Sequence, residues 1–345
     1  MGHRAGVNPP HTFREDNEPS WPTSTHAARR LIMAELPRAS AMELAPGEGD
    51  PRTRNDQPPV LAAPSIIEGE SLRAIRVVPA RAQLRESGFH AFLDGAQEVH
   101  VVSHSDGVPI VWATVSAAVR VRENRRLVAW SGRPPQVERR FYVPLRYVED
   151  LRSSFRDNPR VVDTGESDSS GSFPSRHPAA LLESAMQKIQ RDREALEQRL
   201  AEAWCESETS ALYIDGSITA SAVAASSPLA VGVIKSHNTL YAEGSAFRVL
   251  VNLGPGERSS AFRVEHRTRH AVASWYVRVR SAEGRDALFG LVRVEAAMTN
   301  DLTARADEIS RWIIAEGSPL ALPDGRWDKM SYGVRDTEEF LRAIS

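Results

Sequence analysis

Residues 178–218 read PAALLESAMQKIQRDREALEQRLAEAWCESETSALYIDGSI. In the first two thirds, Leu182, Met186, Ile189, Leu196, Leu200 and Trp204 recur at helical spacing. That spacing predicts an amphipathic helix from Pro178 to about Trp204. The period then changes to that of a strand in SALYIDGSI, and a second strand-like run, LAVGVIKSH, follows. Upstream, HAFLDGAQEVHVV and PIVWATVSAAVRVR flank SHSDGV, whose Asp-Gly pair signals a hairpin. RLVAWSGRPPQVERRFYVP continues the meander, and RYVEDLRSSFRDN reads as a short helix. Downstream, TLYAEG, FRVLVNL, ASWYVRVR and ALFGLVRVEAA read as strands. NDLTARADEISRWIIAEG and EEFLRAIS read as closing helices. Strands, a long helix, more strands and more helices make an α/β class domain, with the long helix laid on a sheet built from both sides of it.

The chain has 345 residues, 41% hydrophobic and 26% charged, with a net charge of −2. That length allows one large domain or two small ones. Residues 1–71 alternate Pro, Gly and charge without periodicity, which predicts a poorly ordered tail ahead of one folded unit, 72–345. Within that tail HAARRLIMAEL has the pattern of a short amphipathic helix. Cys205 is the only cysteine, which excludes a disulfide framework and a CxxC zinc or redox site. No apolar run is long enough for a membrane span, and the N-terminus has no apolar signal core, so the expectation is a cytoplasmic protein. The 43 basic residues include only three lysines, Lys188, Lys235 and Lys329. GC-rich codon bias accounts for such a ratio, and the alternative is that a lysine kept in so arginine-biased a chain stands where a compact ammonium is wanted.

Two strands carry an aspartate followed by glycine, FLDG at Asp94 and YIDGS at Asp215. An aspartate ending a buried strand needs compensation, and a divalent metal is one source of it. The glycine permits a turn or a close approach. Asp-Gly is also a common turn dipeptide, and that reading stands beside the metal one. Glu197 lies at the border of the helix stripe, with Glu194 further out. Arg193 lies within the stripe and calls for an anionic ligand or an i,i+4 ion pair with Glu197. Tyr276, and the Arg293–Glu295 pair, share strand faces that are either functional or simply exposed. VRVRENRR and HRTRH are basic enough to meet phosphate and equally suited to solvated loops. The chain lacks GxxxxGK[ST], HExxH and GxSxG, so it has no P-loop, zincin or hydrolase-elbow motif.

The ordered set FLDG, meander, long helix with REALE, LYIDGSI, VGVIKSH, SWYVRVR and FGLVRVE resembles the NurA nuclease family over residues 72–345. The resemblance implies an RNase H-like mixed sheet flanked by helices and a metal-dependent DNA nuclease acting in DNA end resection and repair. It implies Mn²⁺ or Mg²⁺ held by Asp94, Glu197 (Glu194 as fallback) and Asp215. Lys235 would stand at the valine-lysine position beside phosphate, and Arg193, Tyr276 and Arg293 would contact nucleic acid. A homodimer working with a HerA-like hexameric ATPase is the implied assembly. The family's C-terminal histidine is missing. Leu322-Pro323 stands where the family has Tyr-Pro, Met330 falls near the histidine's place, and Asp324 and Asp328 are the nearby oxygen donors. That departure leaves a catalytically degenerate adaptor of a DNA translocase as the alternative.

Overall fold

The computed structural model describes residues 21–36, 58–77, 87–124, 126–167, 171–266, 269–317 and 331–345. The chain starts with α1 (Thr25–Glu35) and the short strands β1 (Val60–Leu61), β2 (Ser65–Ile66) and β3 (Ala74–Arg76). A long hairpin follows, β4 (Phe89–Ser105) and β5 (Val108–Glu123). Its turn is Asp106-Gly107, both residues at positive φ, as the Asp-Gly signal predicts. The meander continues through β6 (Arg126–Ala129) and β7 (Gln136–Val143). After α2 (Ser153–Arg156) and β8 (Val161–Asp163) comes α3 (Pro178–Ser207), the helix the periodicity predicts. Then come β9 (Ala211–Ile214), α4 (Ala222–Ser226), β10 (Ala230–Ile234), β11 (Thr239–Leu240) and α5 (Ser245–Val251). The chain closes with β12 (Glu257–Ser259), β13 (Phe262–His266), β14 (Arg269–Arg278), β15 (Leu291–Ala296), α6 (Leu302–Glu316) and α7 (Tyr332–Ile344).

The main sheet runs β2-β13-β14-β15-β10-β9-β4-β5-β7-β8. Its centre is an antiparallel meander, β4, β5 and β7, extended on the β4 side by β9 and β10, both parallel to β4. Helix α3 is the crossover between meander and parallel strands, as such a connection requires. Alternation divides the strand residues between two faces. Leu93, Val115, Leu212 and Ile214 pack with Ile189, Leu196, Leu200 and Trp204 of α3. Phe92, Tyr213, Val231 and Trp275 pack with Ile309 and Ile313 of α6 and Val334 of α7. The result is a layer of helices on each side of a mixed sheet.

Three expectations change. The segment 1–71 is not uniformly without structure: α1 buries Ala28 and Ile32 among Trp112, Phe141 and Phe155. In the same segment, β2 joins the main sheet through β13. FRVLVNL is not a strand, because Ser245–Val251 is helical and its last carbonyls, Leu250 and Val251, accept hydrogen bonds from buried Arg278. Finally, FLDG does not end a strand. Asp94 sits inside the 17-residue β4, whose ladder with β5 continues well past it.

Candidate active site

Asp94 and Asp215 meet because of register. In the parallel β4–β9 pair, Phe92 lies opposite Tyr213 and Leu93 opposite Ile214. The next residue on each strand is an aspartate. Strand β9 ends there, and the Asp215 N–H still donates to the Leu93 carbonyl at 3.0 Å. The two Asp-Gly dipeptides thus lie side by side at the point where the parallel ladder stops and β4 runs on.

Glu197 reaches the same point from α3. The Tyr142 hydroxyl of β7 and Arg140 both donate to Asp192 Oδ2, at 2.8 and 2.9 Å, which ties the middle of α3 to the sheet. Just beyond that tie, Glu197 leans over Gly95, and a methyl group at Gly95 would overlap its carboxylate. Gly95 therefore serves a close approach, the second of the two roles its sequence allows. Arg193 donates to Glu197 Oε1, so the i,i+4 ion pair is the reading realised for that arginine.

Lys235, one residue past β10, donates from Nζ to Asp215 Oδ2 at 2.7 Å. Asp94 is 7% exposed, and among the described residues its carboxylate accepts one hydrogen bond, from the Gly95 N–H at 2.8 Å. Burial pushes its pKa well above the usual aspartate range, and the neighbouring charges of Asp215 and Glu197 add to the rise while Lys235 opposes it. Burial likewise raises Glu197, against the pull of Arg193, to about 7.

The loop after Asp215 is held from below. Glu295 of β15 is buried and accepts from Ser217 Oγ at 2.8 Å and from the Ile218 N–H at 3.1 Å. Gly232 of β10, paired with Glu295 across the ladder, leaves the space this loop crosses. A Cβ there would stand 2.6 Å from the Gly216 carbonyl oxygen. Arg293 completes the set by pairing with Glu295 at 2.7 Å and lying over the Tyr241 ring.

One sequence expectation is corrected by these contacts. Tyr276 is fully buried, its hydroxyl accepts from the Tyr241 N–H at 2.9 Å, and burial raises its pKa to about 12. It offers no surface to nucleic acid. Arg293 donates to Glu295 and to Ser274 Oγ and lies over the Tyr241 ring, which makes it a support of the Asp215 loop. Sequence reading gave the face each residue occupies but not whether that face is covered. The supporting roles of Gly232 and Ser217 have no sequence signal of their own, although each lies close to a marked residue: Gly232 pairs with Glu295 and Ser217 follows the Asp215-Gly216 pair. Glu194 accepts from Gln190 at 2.9 Å and lines the same cleft as Glu197 and Asp215, where its charge adds to the rise in the Glu197 pKa. Leu322, Pro323, Asp324, Asp328 and Met330 lie outside the described residues.

An oxygen-only set of Asp94, Asp215 and Glu197 has the chemistry that hard divalent cations prefer. Asp94, buried beside two other carboxylates, fits a place where positive charge is expected. The fit is one of chemistry and not of ready geometry. Among the described residues no three His, Cys, Asp or Glu side chains are arranged to hold a metal ion. Asp215 and Glu197 each face a cation of the chain itself. Also among the described residues, no helix is long and apolar enough to cross a membrane. No protein-family model matches this chain, and no curated protein matches it.

Proposed function

We propose that the protein is a metal-dependent DNA nuclease of NurA type. The observation that carries this reading is the meeting of three carboxylates: the register of β4 and β9 sets Asp94 beside Asp215, and α3 brings Glu197 over Gly95. The central order β7-β5-β4-β9-β10 supports an RNase H-like core, with the carboxylates at the end of the parallel pair. Asp94, Asp215 and Glu197 would hold Mn²⁺ or Mg²⁺. A cation bound there would activate water and stabilise the leaving oxygen of a phosphodiester. Lys235, 2.7 Å from Asp215, keeps a compact positive charge where a phosphate oxygen would sit. Glu295, through Ser217 and Ile218, holds the Asp215 loop in position for that task. Without a P-loop, movement along DNA would rest on a separate HerA-like ATPase, and a homodimer is the assembly the resemblance implies.

A specific observation favours a second reading, a catalytically degenerate adaptor. Lys235 and Arg193 already neutralise Asp215 and Glu197, so two of the three carboxylates are compensated without metal. The two readings part in one experiment. Labelled single- and double-stranded DNA is incubated with Mn²⁺ and either the wild-type chain or Asp215→Asn, purified in parallel. The nuclease reading expects cleavage by the wild type and at least a hundredfold loss in the variant, on the order of the effect of removing a group that acts in the transition state. Absence of cleavage by the wild type, with and without an ATPase partner, overturns the nuclease reading and moves the adaptor reading ahead of it.

A further inference from the structure

Strand β7 has an edge that the sheet leaves partly open. In a ladder of this kind, successive residues point their backbone groups alternately towards the neighbouring strand and away from it. The Phe141 N–H donates to the Arg160 carbonyl at 2.9 Å, and the Val143 carbonyl accepts from the Thr164 N–H at 3.0 Å. The Arg139 carbonyl accepts from the Trp21 indole N–H at 2.9 Å. These odd-numbered positions therefore face away from β5. By the same alternation, the Val137 N–H and carbonyl and the Arg139 N–H face outward as well. Strand β8 pairs with Phe141–Val143 and stops short of them, and among the described residues nothing pairs with these three groups. Pro134 and Pro135 precede the strand. The open edge is thus about three residues long, or roughly 10 Å of strand.

A cleft of about 440 Å³ borders this edge, lined by Val137–Arg140 together with Trp21, Pro159 and Arg160. Its charge is unbalanced. Glu138 is paired with Arg140 at 2.5 Å, and Arg140 also reaches Asp192. Arg139 and Arg160 have no carboxylate partner among the described residues. Arg139 donates to the Ser345 carbonyl at 2.8 Å, and the exposed Arg160 lies over the Trp21 ring. Arg139 shares its strand face with Phe141, which packs edge-on against Trp21, so both guanidiniums border the cleft on one face of the sheet. Donors and an acceptor at ladder spacing suit another peptide chain. A phosphodiester backbone offers acceptors only and would leave the Val137 carbonyl unpaired. Two guanidiniums on one face suit carboxylates at every second residue of that chain.

We propose that this cleft is a docking slot for an extended acidic peptide of a partner protein. The peptide adds a short strand to β7 at Val137 and Arg139 and turns alternate carboxylates towards Arg139 and Arg160. The slot lies on a different strand edge from the carboxylate cluster, and the inference does not depend on the nuclease reading.

The test uses the full chain and a fluorescein-labelled peptide of alternating glutamate and threonine, about six residues long. Binding followed by anisotropy should give a Kd below about 1 mM. Replacing the glutamates by glutamine should weaken it about tenfold, as should Arg160→Glu in the protein. Arg263→Glu makes the same charge change at an exposed arginine paired with Glu265 and should alter nothing. Val137→Pro removes an outward N–H while sparing the ladder with β5, and it should also weaken binding about tenfold. Thermal unfolding of each variant verifies the fold. Two N-methylated peptides test strand pairing without any change to the protein, one methylated at the glutamate amides and one at the threonine amides. One of the two should lose binding and the other keep it, because only alternate amides face β7. If the parent peptide does not bind, or both methylated forms bind as it does, the slot is overturned. If an oligothymidylate displaces the peptide and itself weakens with Arg160→Glu and Val137→Pro, the cleft belongs to a nucleic-acid strand and the peptide proposal fails.

Discussion

Glu197 carries the most legible electrostatic consequence of the fold. Its carboxyl is buried against the sheet, facing Arg193 on its own helix and Asp215 from β9, with Glu194 nearby. Its folded pKa is raised from 4.5 to about 7. The unfolded chain therefore releases this proton first as pH rises, and the folded chain binds more protons across the window between those values. Stability contributed by the protonated form is fully present below pH 4.5 and is lost as pH rises towards 7, by about 3 kcal/mol over the window. Glu197→Gln removes the titration while keeping the shape. Without metal, it should raise Tm at pH 8 and have little effect at pH 5, which parallel calorimetry at the two pH values checks. An equal shift at both would show that Glu197 is not held protonated by its burial. The sequence marked this glutamate through the edge of the helix stripe, and it marked both aspartates through their glycines. It could not show the burial that gives them their chemistry, because burial of Asp94 depends on where β9 stops, 120 residues downstream. The same limit explains Tyr276 and Arg293: alternation along a strand names a face, and only the elements packed on that face decide whether it is open.

The loop after β9 shows how one element makes room for another. It crosses β10 at Gly232, where any side chain would meet the Gly216 carbonyl and Ile218. Glu295 then holds the crossing through Ser217 Oγ and the Ile218 N–H. Gly232→Val should thus displace the Asp215 loop as well as strain the core. The expected cost is about 1–3 kcal/mol, as for an overpacked interior. Any Mn²⁺-dependent cleavage should fall further than that of a core variant of equal stability in a separate core cluster, such as Val143→Ala in β7. Matched Tm values and cleavage rates for the two variants provide the comparison. Equal activity in both would separate the crossing from the site. The long helix, the hairpin and the two parallel strands were readable because each carries several turns or alternations of its own period. Helix α5 was not, since seven residues of mixed apolar and β-branched type fit either period. What makes it a helix is tertiary. Arg278, fully buried on β14, donates to the carbonyls of Val251, Leu253, Ala287 and Phe289, so that backbone which a strand would pair is satisfied by one guanidinium. Arg278→Met should leave these carbonyls buried without a donor and cost roughly 2–4 kcal/mol, measured by denaturant unfolding. A near-neutral result would mean that water reaches them.

The whole molecule depends on contacts that no local pattern announces. Composition makes residues 1–71 look like solvated chain apart from the helix pattern HAARRLIMAEL, yet α1, which is that pattern, buries Ala28 and Ile32 in the core, and β2 joins the sheet. The anchor of the 58–77 stretch is Arg258 in β12, a fully buried guanidinium. It makes a two-pronged pair with Glu68, at 2.6 and 2.8 Å, and a third bond to Asp307 of α6 at 2.6 Å. Glu68 in turn accepts from the Ala261 N–H at 2.8 Å. One arginine therefore joins an N-terminal segment, the sheet and a C-terminal helix, with partners 190 residues apart in sequence. Desolvating the three charges offsets much of their attraction, so the group fixes which segment docks where more than it adds net stability. That view predicts an asymmetry. Glu68→Gln leaves Arg258 buried with half its compensation and should cost about 3–5 kcal/mol, with early protease cleavage within 58–77. Arg258→Met, which leaves Glu68 buried and unpaired, should cost as much. The double variant Glu68→Leu with Arg258→Met replaces the pair by apolar packing and should recover most of the loss, since Asp307 is partly exposed and can be solvated. A double variant as unstable as the sum of the two singles would instead mean that the ion pair itself, and not the avoidance of a stranded charge, holds the N-terminal segment on the sheet.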